Sequence, residues 1–339
     1  MFYNQTTYAI GGNLLSMAAG DVNSDGKPDI IVSDFTATTV NVLLNSGNGV
    51  FLAPATYSTT STPRSVSVFD VNSDNKLDII VTNYNNNTIG VFLNAGNGSF
   101  LAQTTYSAGP TPHIVTVADV NSDNKPDLVV ANYGSNSVGV LFNVGNGTFL
   151  NQTTYVVVSS PYSLAVADVN SDSKPDIIVA NSVSNNVGVL LNAGNGTFLS
   201  QTTYATGNDP RSVAVADVNN DSKPDICVAN AGSNNVGVLL NAGNGTFLAQ
   251  TTYSTGTSPY LVTATDLNSD GYLDIFVSNV NSNNIGVLLN NGNGTFLAQT
   301  TYSTSVSPYS TAVADVNNDG KPDILVATGS GSLGVLLHC

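Results

Sequence analysis

The feature that most constrains this 339-residue chain is an internal repeat with a period of 49 residues. The nonapeptide Asp-Val-Asn-Ser-Asp-Gly-Lys-Pro-Asp begins at Asp21, and close copies begin at Asp70, Asp119, Asp168, Asp217, Asp266 and Asp315. An Asn-Gly-x-Phe turn and a Thr-Tyr pair recur with the same spacing. A fixed period indicates one supersecondary unit used several times, so the chain is predicted to be a repeat protein rather than two unrelated domains.

Each unit has the pattern of four short strands. In the fifth unit these cover residues 212–216, 226–228, 236–240 and 247–253, and turns rich in Gly, Asn and Ser separate them. The pattern has no helical period. Four strands in a unit of about 40–50 residues are typical of a β-propeller blade. The sequence therefore predicts an all-β fold, a seven-bladed β-propeller with four antiparallel strands per blade.

The two ends of the chain predict how the ring closes. The chain begins within a unit, with a strand at residues 2–8, and ends within a unit, after residues 333–337. Together, residues from about 307 to 339 and residues 1–9 make one complete blade, whose fourth strand is N-terminal. A shared blade removes the exposed edges that a linear β-solenoid, the alternative, would leave. We therefore expect a single propeller domain over residues 1–339.

Charge is concentrated in the seven nonapeptide loops. All 23 acidic residues are Asp, and only Asp34 and Asp209 lie outside the loops, which also hold all six Lys. The net charge is −15, but 41% of residues are apolar and 9% charged, which excludes a disordered acidic chain. Without a basic stripe, nucleic acid is not an expected partner. The sequence shows no membrane-inserting segment and no signal peptide, and we expect a monomeric domain of a larger protein.

The loops offer oxygen donors at alternate positions, as calcium requires. Calcium takes six to eight oxygen ligands from carboxylates, amides and backbone carbonyls. The predicted ligands at positions one, three, five, seven and nine are Asp21, Asn23, Asp25, Lys27 and Asp29; Asp70, Asn72, Asp74, Lys76 and Asp78; Asp119, Asn121, Asp123, Lys125 and Asp127; Asp168, Asn170, Asp172, Lys174 and Asp176; Asp217, Asn219, Asp221, Lys223 and Asp225; Asp266, Asn268, Asp270, Tyr272 and Asp274; Asp315, Asn317, Asp319, Lys321 and Asp323. Position seven is expected to bind through its backbone carbonyl. About seven Ca²⁺ ions are predicted, one per blade.

The loop pattern has two other interpretations. An EF-hand is excluded, because the chain has no Glu and the twelfth position of the first loop is Val32. Turn chemistry alone is the other alternative, since Asp, Asn, Ser and Gly all favour turns. Three carboxylates in each of seven loops would repel one another without a cation, which favours calcium. Position six requires a positive φ, which suits Gly26 and is less readily adopted by Ser173 and Ser222.

The motifs Asp-Val-Asn-Ser-Asp-Gly-Lys-Pro-Asp-Ile-Ile-Val and Gly-Asn-Gly-Thr-Phe resemble the FG-GAP or VCBS repeat, as in the N-terminal propeller of integrin α subunits. The resemblance covers the whole chain. It implies a seven-bladed propeller with calcium between the first two strands of a blade, on the lower face. It also implies an extracellular or cell-surface role in adhesion, ligand recognition or sugar binding, as in fungal propeller lectins. Integrins carry such loops in only some blades, so the integrin mode of ligand binding stays open.

The units differ most in the connections between blades, where recognition is expected. The residue after the Pro position runs Leu15, Arg64, His113, Tyr162, Arg211, Tyr260 and Tyr309. Strand alternation predicts that these side chains form a ring around the axial opening, on the face opposite the calcium loops. Arg and Tyr are typical binding residues, and Arg suits carboxylate or sulfate. The predicted ligand-binding residues are Arg64, His113, Tyr162, Arg211, Tyr260 and Tyr309; the alternative is a polar rim that only covers the core.

Three classes of function fit these features. The first is an adhesion or recognition module, and the second is a lectin in which Tyr84, Tyr133, Tyr162, Tyr260 and Tyr309 stack on sugars. The third is a purely structural repeat module. With no Glu, two His and no nucleophile–base signature, no catalytic residue is predicted and an enzyme is not expected. We expect a calcium-stabilised extracellular binding module whose partner is a protein or an acidic glycan.

Overall fold

The computed structural model describes residues 2, 5–304 and 306–338. It shows seven four-stranded antiparallel sheets arranged as the blades of a propeller. The innermost strand of each blade packs against that of the next, and the innermost strand of blade 7 packs against that of blade 1. The predicted all-β, seven-bladed fold is therefore confirmed.

The strands occupy the same positions in every blade. From blade 1 to blade 7, the innermost strands are Leu14–Gly20, Pro63–Phe69, Pro112–Ala118, Pro161–Ala167, Pro210–Ala216, Pro259–Thr265 and Pro308–Ala314. The second strands are Asp29–Asp34, Asp78–Asn83, Asp127–Asn132, Asp176–Asn181, Asp225–Asn230, Asp274–Asn279 and Asp323–Thr328. The third strands are Thr39–Leu43, Thr88–Phe92, Ser137–Leu141, Asn186–Leu190, Asn235–Leu239, Asn284–Leu288 and Ser332–Leu336. The outermost strands of blades 1 to 6 are Ala55–Ser58, Thr104–Ser107, Thr153–Val156, Thr202–Ala205, Thr251–Ser254 and Thr300–Ser303.

The N-terminal strand closes blade 7. Thr6–Ala9 pairs antiparallel with Ser332–Leu336, so the last blade takes its outermost strand from the start of the chain, as predicted. Residues 1, 3, 4 and 339 of that predicted blade lie outside the described residues.

Five blades carry a small ribbon that the sequence pattern merged with the outermost strand. The paired segments are Asn45–Gly47 with Val50–Phe51, Asn94–Gly96 with Ser99–Phe100, Asn143–Gly145 with Thr148–Phe149, Asn192–Gly194 with Thr197–Phe198, and Asn241–Gly243 with Thr246–Phe247. In blade 6 the ribbon reduces to an Asn290–Phe296 bridge. The predicted strand 247–253 is therefore divided, because a chain reversal through Asn244, with φ of 52°, places Phe247 in the ribbon. Among the described residues there are also two 3-10 turns, Tyr133–Ser135 and Val280–Ser282.

The hydrophobic core lies between blades. Every residue of the second strands is buried, and alternate residues face the two neighbouring blades. One cluster, for example, joins Ile178 and Val187 of blade 4 to Val213 and Ile226 of blade 5. A single blade therefore buries its faces only when both neighbours are present. Within the described residues, no helix has the length and apolar character needed to cross a membrane.

Candidate functional site

The nonapeptide loops lie at the ends of the innermost strands, and their side chains hold the loop backbone. In the second loop, the two carboxylate oxygens of Asp70 accept the N–H groups of Asp74 and Asn75, at 3.1 and 2.7 Å. The carboxylate of Asp74 accepts the backbone N–H of Lys76 at 3.0 Å and pairs with its ammonium group at 3.2 Å. The carboxylate oxygens predicted to bind calcium therefore hold the loop conformation through hydrogen bonds to its backbone.

Position six has the predicted positive φ in every loop. Its residues are Gly26, Asn75, Asn124, Ser173, Ser222, Gly271 and Gly320, with φ between 62° and 86°. Position four also has a positive φ, which the sequence analysis missed. Its residues are Ser24, Ser73, Ser122, Ser171, Asn220, Ser269 and Asn318, with φ between 57° and 63°. Because Ser adopts this region at a cost, position four is a second strained point that no glycine marks in the sequence.

The Asp at position nine is buried and joins the loop to the rest of its blade. The carboxylate of Asp78 accepts the backbone N–H groups of Val71 at 3.0 Å and of Asn94 at 2.8 Å. Burial, together with the nearby charges of Asp74 and Asp70, raises the pKa of Asp78 to about 6. All seven position-nine carboxylates have a raised pKa for the same reason. Each of these groups therefore lies in a site that disfavours its negative charge.

The donor types of the loop fit a hard cation such as calcium: carboxylate and amide oxygens from positions one, three, five and nine, plus a backbone carbonyl. Their arrangement does not itself form a cage. Among the described residues, no three Asp, Glu, His or Cys side chains lie together in a group able to hold a metal ion. The oxygens instead accept hydrogen bonds from the loop, so calcium binding at these residues stays a prediction.

A buried Asn that the sequence analysis did not single out anchors the loops of blades 1 to 5 and of blade 7 to the next blade. Asn94 of blade 2 donates from Nδ2 to the carbonyl of Val22 in the loop of blade 1, at 2.9 Å. The equivalent residues Asn45, Asn143, Asn192, Asn241 and Asn290 make the same bond to the preceding blade. His338 occupies the corresponding place in blade 7. The sequence feature that would have identified these residues is the Asn that recurs four residues before the Gly-x-Phe of each turn.

The predicted ring is assembled at the other end of the innermost strands. One axial cavity of about 90 Å³ is lined by Leu15, Arg64, His113, Tyr162, Arg211, Tyr260 and Tyr309, together with the residue after each. These residues come from all seven blades and lie at the start of the seven-residue strands whose ends lead into the nonapeptide loops. The structure therefore brings the six predicted ligand-binding residues together on the face opposite the loops, which we call the upper face.

Arg64 is the cation of this cavity that has no acidic partner. Its guanidinium lies 4.9 Å from the centre of the Tyr162 ring and donates from Nη2 to the hydroxyl of Tyr260 at 3.2 Å. Its Nε–H is buried and has no acceptor among the described residues, nor does any carboxylate there lie within 4 Å. The hydroxyl of Tyr260 also accepts a hydrogen bond from Tyr162 at 2.8 Å, so its own proton is available to donate.

Arg211 differs from Arg64 because its charge is balanced. Its Nε and Nη2 both contact the same carboxylate oxygen of Asp209, at 2.9 and 2.8 Å. The Arg211 guanidinium also lies 5.7 Å from the Tyr162 ring and 5.6 Å from the Tyr260 ring. The ring therefore carries one net positive charge, at Arg64.

His113 lines the cavity but is itself buried among aromatic rings. It is 6% exposed, stacks on Tyr133 at 4.1 Å with the rings nearly parallel, and meets the ring of Tyr162 edge-on at 4.7 Å. Its third aromatic neighbour, Tyr84, lies 5.7 Å away. Burial and the charge of Arg64 lower the pKa of His113 to about 2. The imidazole is therefore neutral at physiological pH and adds no charge to the cavity.

The repeat is matched by the family profile described as FG-GAP-like repeat, over residues 21–81, 70–130, 119–179, 168–228, 217–277 and 266–326. No curated protein matches the chain. Among solved structures, it is similar to virginiamycin B lyase from Staphylococcus aureus, with a TM-score of 0.71, 15% identity and 100% of each chain covered. It is also similar to a lectin from Agrocybe aegerita that recognises non-reducing terminal N-acetylglucosamine, with a TM-score of 0.62, 21% identity, and 95% of this chain and 87% of the lectin covered. At these identities the likenesses show the fold alone.

Proposed function

The chain belongs to the FG-GAP-like repeat family, and we propose that it is a calcium-stabilised binding module that recognises an anionic group at the axial cavity. The observation that carries the proposal is Arg64, a partly buried guanidinium with an unused Nε–H and no carboxylate partner among the described residues. A buried charged donor without a partner is unfavourable for the unbound protein. A carboxylate or sulfate in the cavity would balance the charge of the Arg64 guanidinium and accept charge-assisted hydrogen bonds from it.

The size of the cavity limits what enters it. The space between the side chains of the ring is about 90 Å³, several times the roughly 10–15 Å³ that a cavity needs to hold one water. That space suits one anionic group and not a complete large ligand. The groups available to bind it are the free N–H donors of Arg64 and the hydroxyl proton of Tyr260. We therefore infer that the cavity binds a carboxylate or sulfate that belongs to a larger molecule.

Calcium is assigned a stabilising role in this proposal. The family membership and the oxygen donors of all seven loops support it. A divalent ion would offset the burial and the neighbouring Asp charges that raise the pKa of Asp78 and its equivalents. Extracellular modules bind calcium with Kd of about 10⁻⁴–10⁻³ M. Sites of that affinity fill outside the cell, so we propose that the module acts in a secreted or cell-surface protein.

Binding is favoured over catalysis by the chemistry of the cavity. His113 is neutral and shielded, and the carboxylate of Asp209 is engaged by Arg211. Neither group is placed as a general base near Arg64. A purely structural module is the second candidate, favoured by the anchoring Asn that recurs in blades 1 to 6. The two are distinguished by whether the cavity binds an anion.

Isothermal titration with sodium sulfate and sodium acetate, at constant ionic strength against chloride, tests the proposal. We expect saturable binding by the wild type and at least a tenfold loss in Arg64→Gln, because a hydrogen bond to a charged group contributes about 1.5–3 kcal/mol. Lys125→Gln removes the same charge from a loop on the opposite face and is the matched control. A wild-type Kd weaker than about 10 mM, or roughly −2.7 kcal/mol, would refute anion recognition. Equal affinity in the two variants would place the anion elsewhere.

A further inference from the structure

The upper face is asymmetric, and the asymmetry lies in the turn that follows each second strand. The first residue of this turn is aromatic in three adjacent blades: Phe35, Tyr84 and Tyr133. In blades 4 to 7 the equivalent residues are Ser182, Ala231, Val280 and Gly329. Since the repeats are otherwise nearly identical, this difference marks one side of the face.

These three residues, with the buried His113 between Tyr84 and Tyr133, form a chain of aromatic contacts that leads to the cavity; we call the three partly exposed rings the aromatic track. Phe35 and Tyr84 have ring centres 6.0 Å apart, and Tyr84 lies 5.7 Å from His113. Tyr133 covers His113 at 4.1 Å and reaches Tyr162 of the axial ring at 6.1 Å. The track therefore runs from the turn after the second strand of blade 1 to the cavity that contains Arg64.

The track is accessible and firmly held. Phe35, Tyr84 and Tyr133 are all partly exposed. Their backbone N–H groups donate to the carbonyls of Asn13, Thr62 and Thr111, which fixes each turn against the connection before its blade. Within the described part of the chain, the hydroxyls of Tyr84 and Tyr133 make no hydrogen bond. Both hydroxyls are therefore available to a ligand.

Resting on the proposed function, we propose that this track and cavity together bind an acidic oligosaccharide. A uronic acid places its carboxylate at Arg64, and the adjoining sugar rings stack on Tyr133 and Tyr84. The C–H faces of a pyranose carry slight positive charge and suit the negative face of an aromatic ring. The sugar hydroxyls find partners in the free phenol groups. The cavity holds one acidic group only, so the following sugars lie outside it, over the track.

An acidic peptide fits the same surface less well. Extended peptides are commonly bound by pairing with an exposed sheet edge. The free edges in this protein are the outermost strands at the perimeter, such as Thr104–Ser107, whereas the track lies at the turns on the upper face. The track offers flat rings and hydroxyl groups, which recognise sugar rings rather than main-chain amides.

The test compares four probes: galacturonate, α-1,4-linked tetragalacturonate, the neutral maltotetraose and a tetraglutamate peptide. Wild type should bind tetragalacturonate about tenfold more tightly than galacturonate, because added rings stack on the track. Tyr84→Leu and the Tyr84→Leu/Tyr133→Leu double variant should lose this gain while binding galacturonate as before. Tyr133→Phe keeps the stack on His113 and should lose only part of the gain. Tyr272→Leu, at an exposed Tyr of a nonapeptide loop, should leave the affinity for all four probes unchanged.

The outcomes separate this inference from the proposed function. One result refutes the track and leaves the anion cavity in place: galacturonate binds through Arg64, but tetragalacturonate binds no more tightly than galacturonate. The same conclusion follows if tetragalacturonate binds more tightly and the tyrosine variants keep that higher affinity. If Arg64→Gln binds both uronates as well as the wild type does, both proposals fall. Tighter binding of tetraglutamate than of tetragalacturonate would show that the preferred ligand is an acidic peptide and not an oligosaccharide. Equal binding of maltotetraose and tetragalacturonate would overturn the role of the carboxylate.

Discussion

The sixth position of the nonapeptide loop offers an exchange of side chains that tests the strain in these loops. Ser173 of blade 4 has a φ of 65° and Gly320 of blade 7 a φ of 81°. A Cβ atom placed on Gly320 meets nothing within 4 Å, and Ser173 is exposed and bonds in its loop through its backbone N–H rather than its hydroxyl. Ser173→Gly and Gly320→Ser therefore change the backbone preference without creating a clash or removing a contact.

The expected size of the effect follows from two opposing contributions. A residue with a Cβ costs about 1–2 kcal/mol in the left-handed region relative to glycine. Glycine returns about 0.4–1 kcal/mol of this through the larger entropy of its unfolded chain. We therefore expect Ser173→Gly to raise the free energy of unfolding by about 0.5–1 kcal/mol and Gly320→Ser to lower it by a similar amount. The double exchange should be close to neutral, because blades 4 and 7 are not adjacent and distant substitutions add.

Urea unfolding followed by circular dichroism measures these differences, once with a chelator and once with calcium. The chelator series reports the backbone preference alone, and the m-value should stay constant across the variants. A lower midpoint for Ser173→Gly, or an unchanged midpoint for Gly320→Ser at constant m, would show that the positive φ is not a source of strain.

Three further predictions concern the metal, the blade junctions and pH. In 2 mM calcium each filled loop should stabilise the fold by about 0.6–1.8 kcal/mol for Kd of 10⁻⁴–10⁻³ M, and an unchanged melting midpoint on adding a chelator would contradict this. Asn192→Ala removes hydrogen bonds of 2.8, 3.0 and 2.9 Å to Val120, Pro175 and Gly194 and should lower the free energy of unfolding in urea by about 2–4 kcal/mol. Asn86→Ala gives up one exposed hydrogen bond and is the control. An equal loss of stability in the two variants would show that the anchoring Asn has no special role between blades. The pKa of His113 is about 2 in the folded protein, so as the pH falls this residue takes up a proton in the unfolded state first. Below about pH 6.5 the free energy of unfolding of the wild type should therefore fall by up to about 1.4 kcal/mol per pH unit more than that of His113→Gln. Parallel pH profiles of stability for the two proteins would refute this.

The sequence alone determined the number of blades, the order of strands and the position of the loops. All three depend on local patterns: a period of 49 residues, strand alternation and turn residues. It also placed the axial ring correctly, because residues at equivalent points of a closed repeat must lie on one circle. The division of strand 247–253 was missed because the ribbon depends on packing between blades, which local propensity does not encode.

Only the tertiary structure decided which contacts the ring residues make. Arg64 meets Tyr260, 196 residues away, and Tyr162 meets Tyr260 across 98 residues. Such contacts depend on the radius of the ring and on the direction of each side chain, which no local pattern specifies. The same holds for the anchoring Asn residues, whose partners lie in the preceding blade, and for the track through Tyr133. The repeat fixes which residues share a circle, but the packing of seven blades decides which of them touch and which charge is left unmatched.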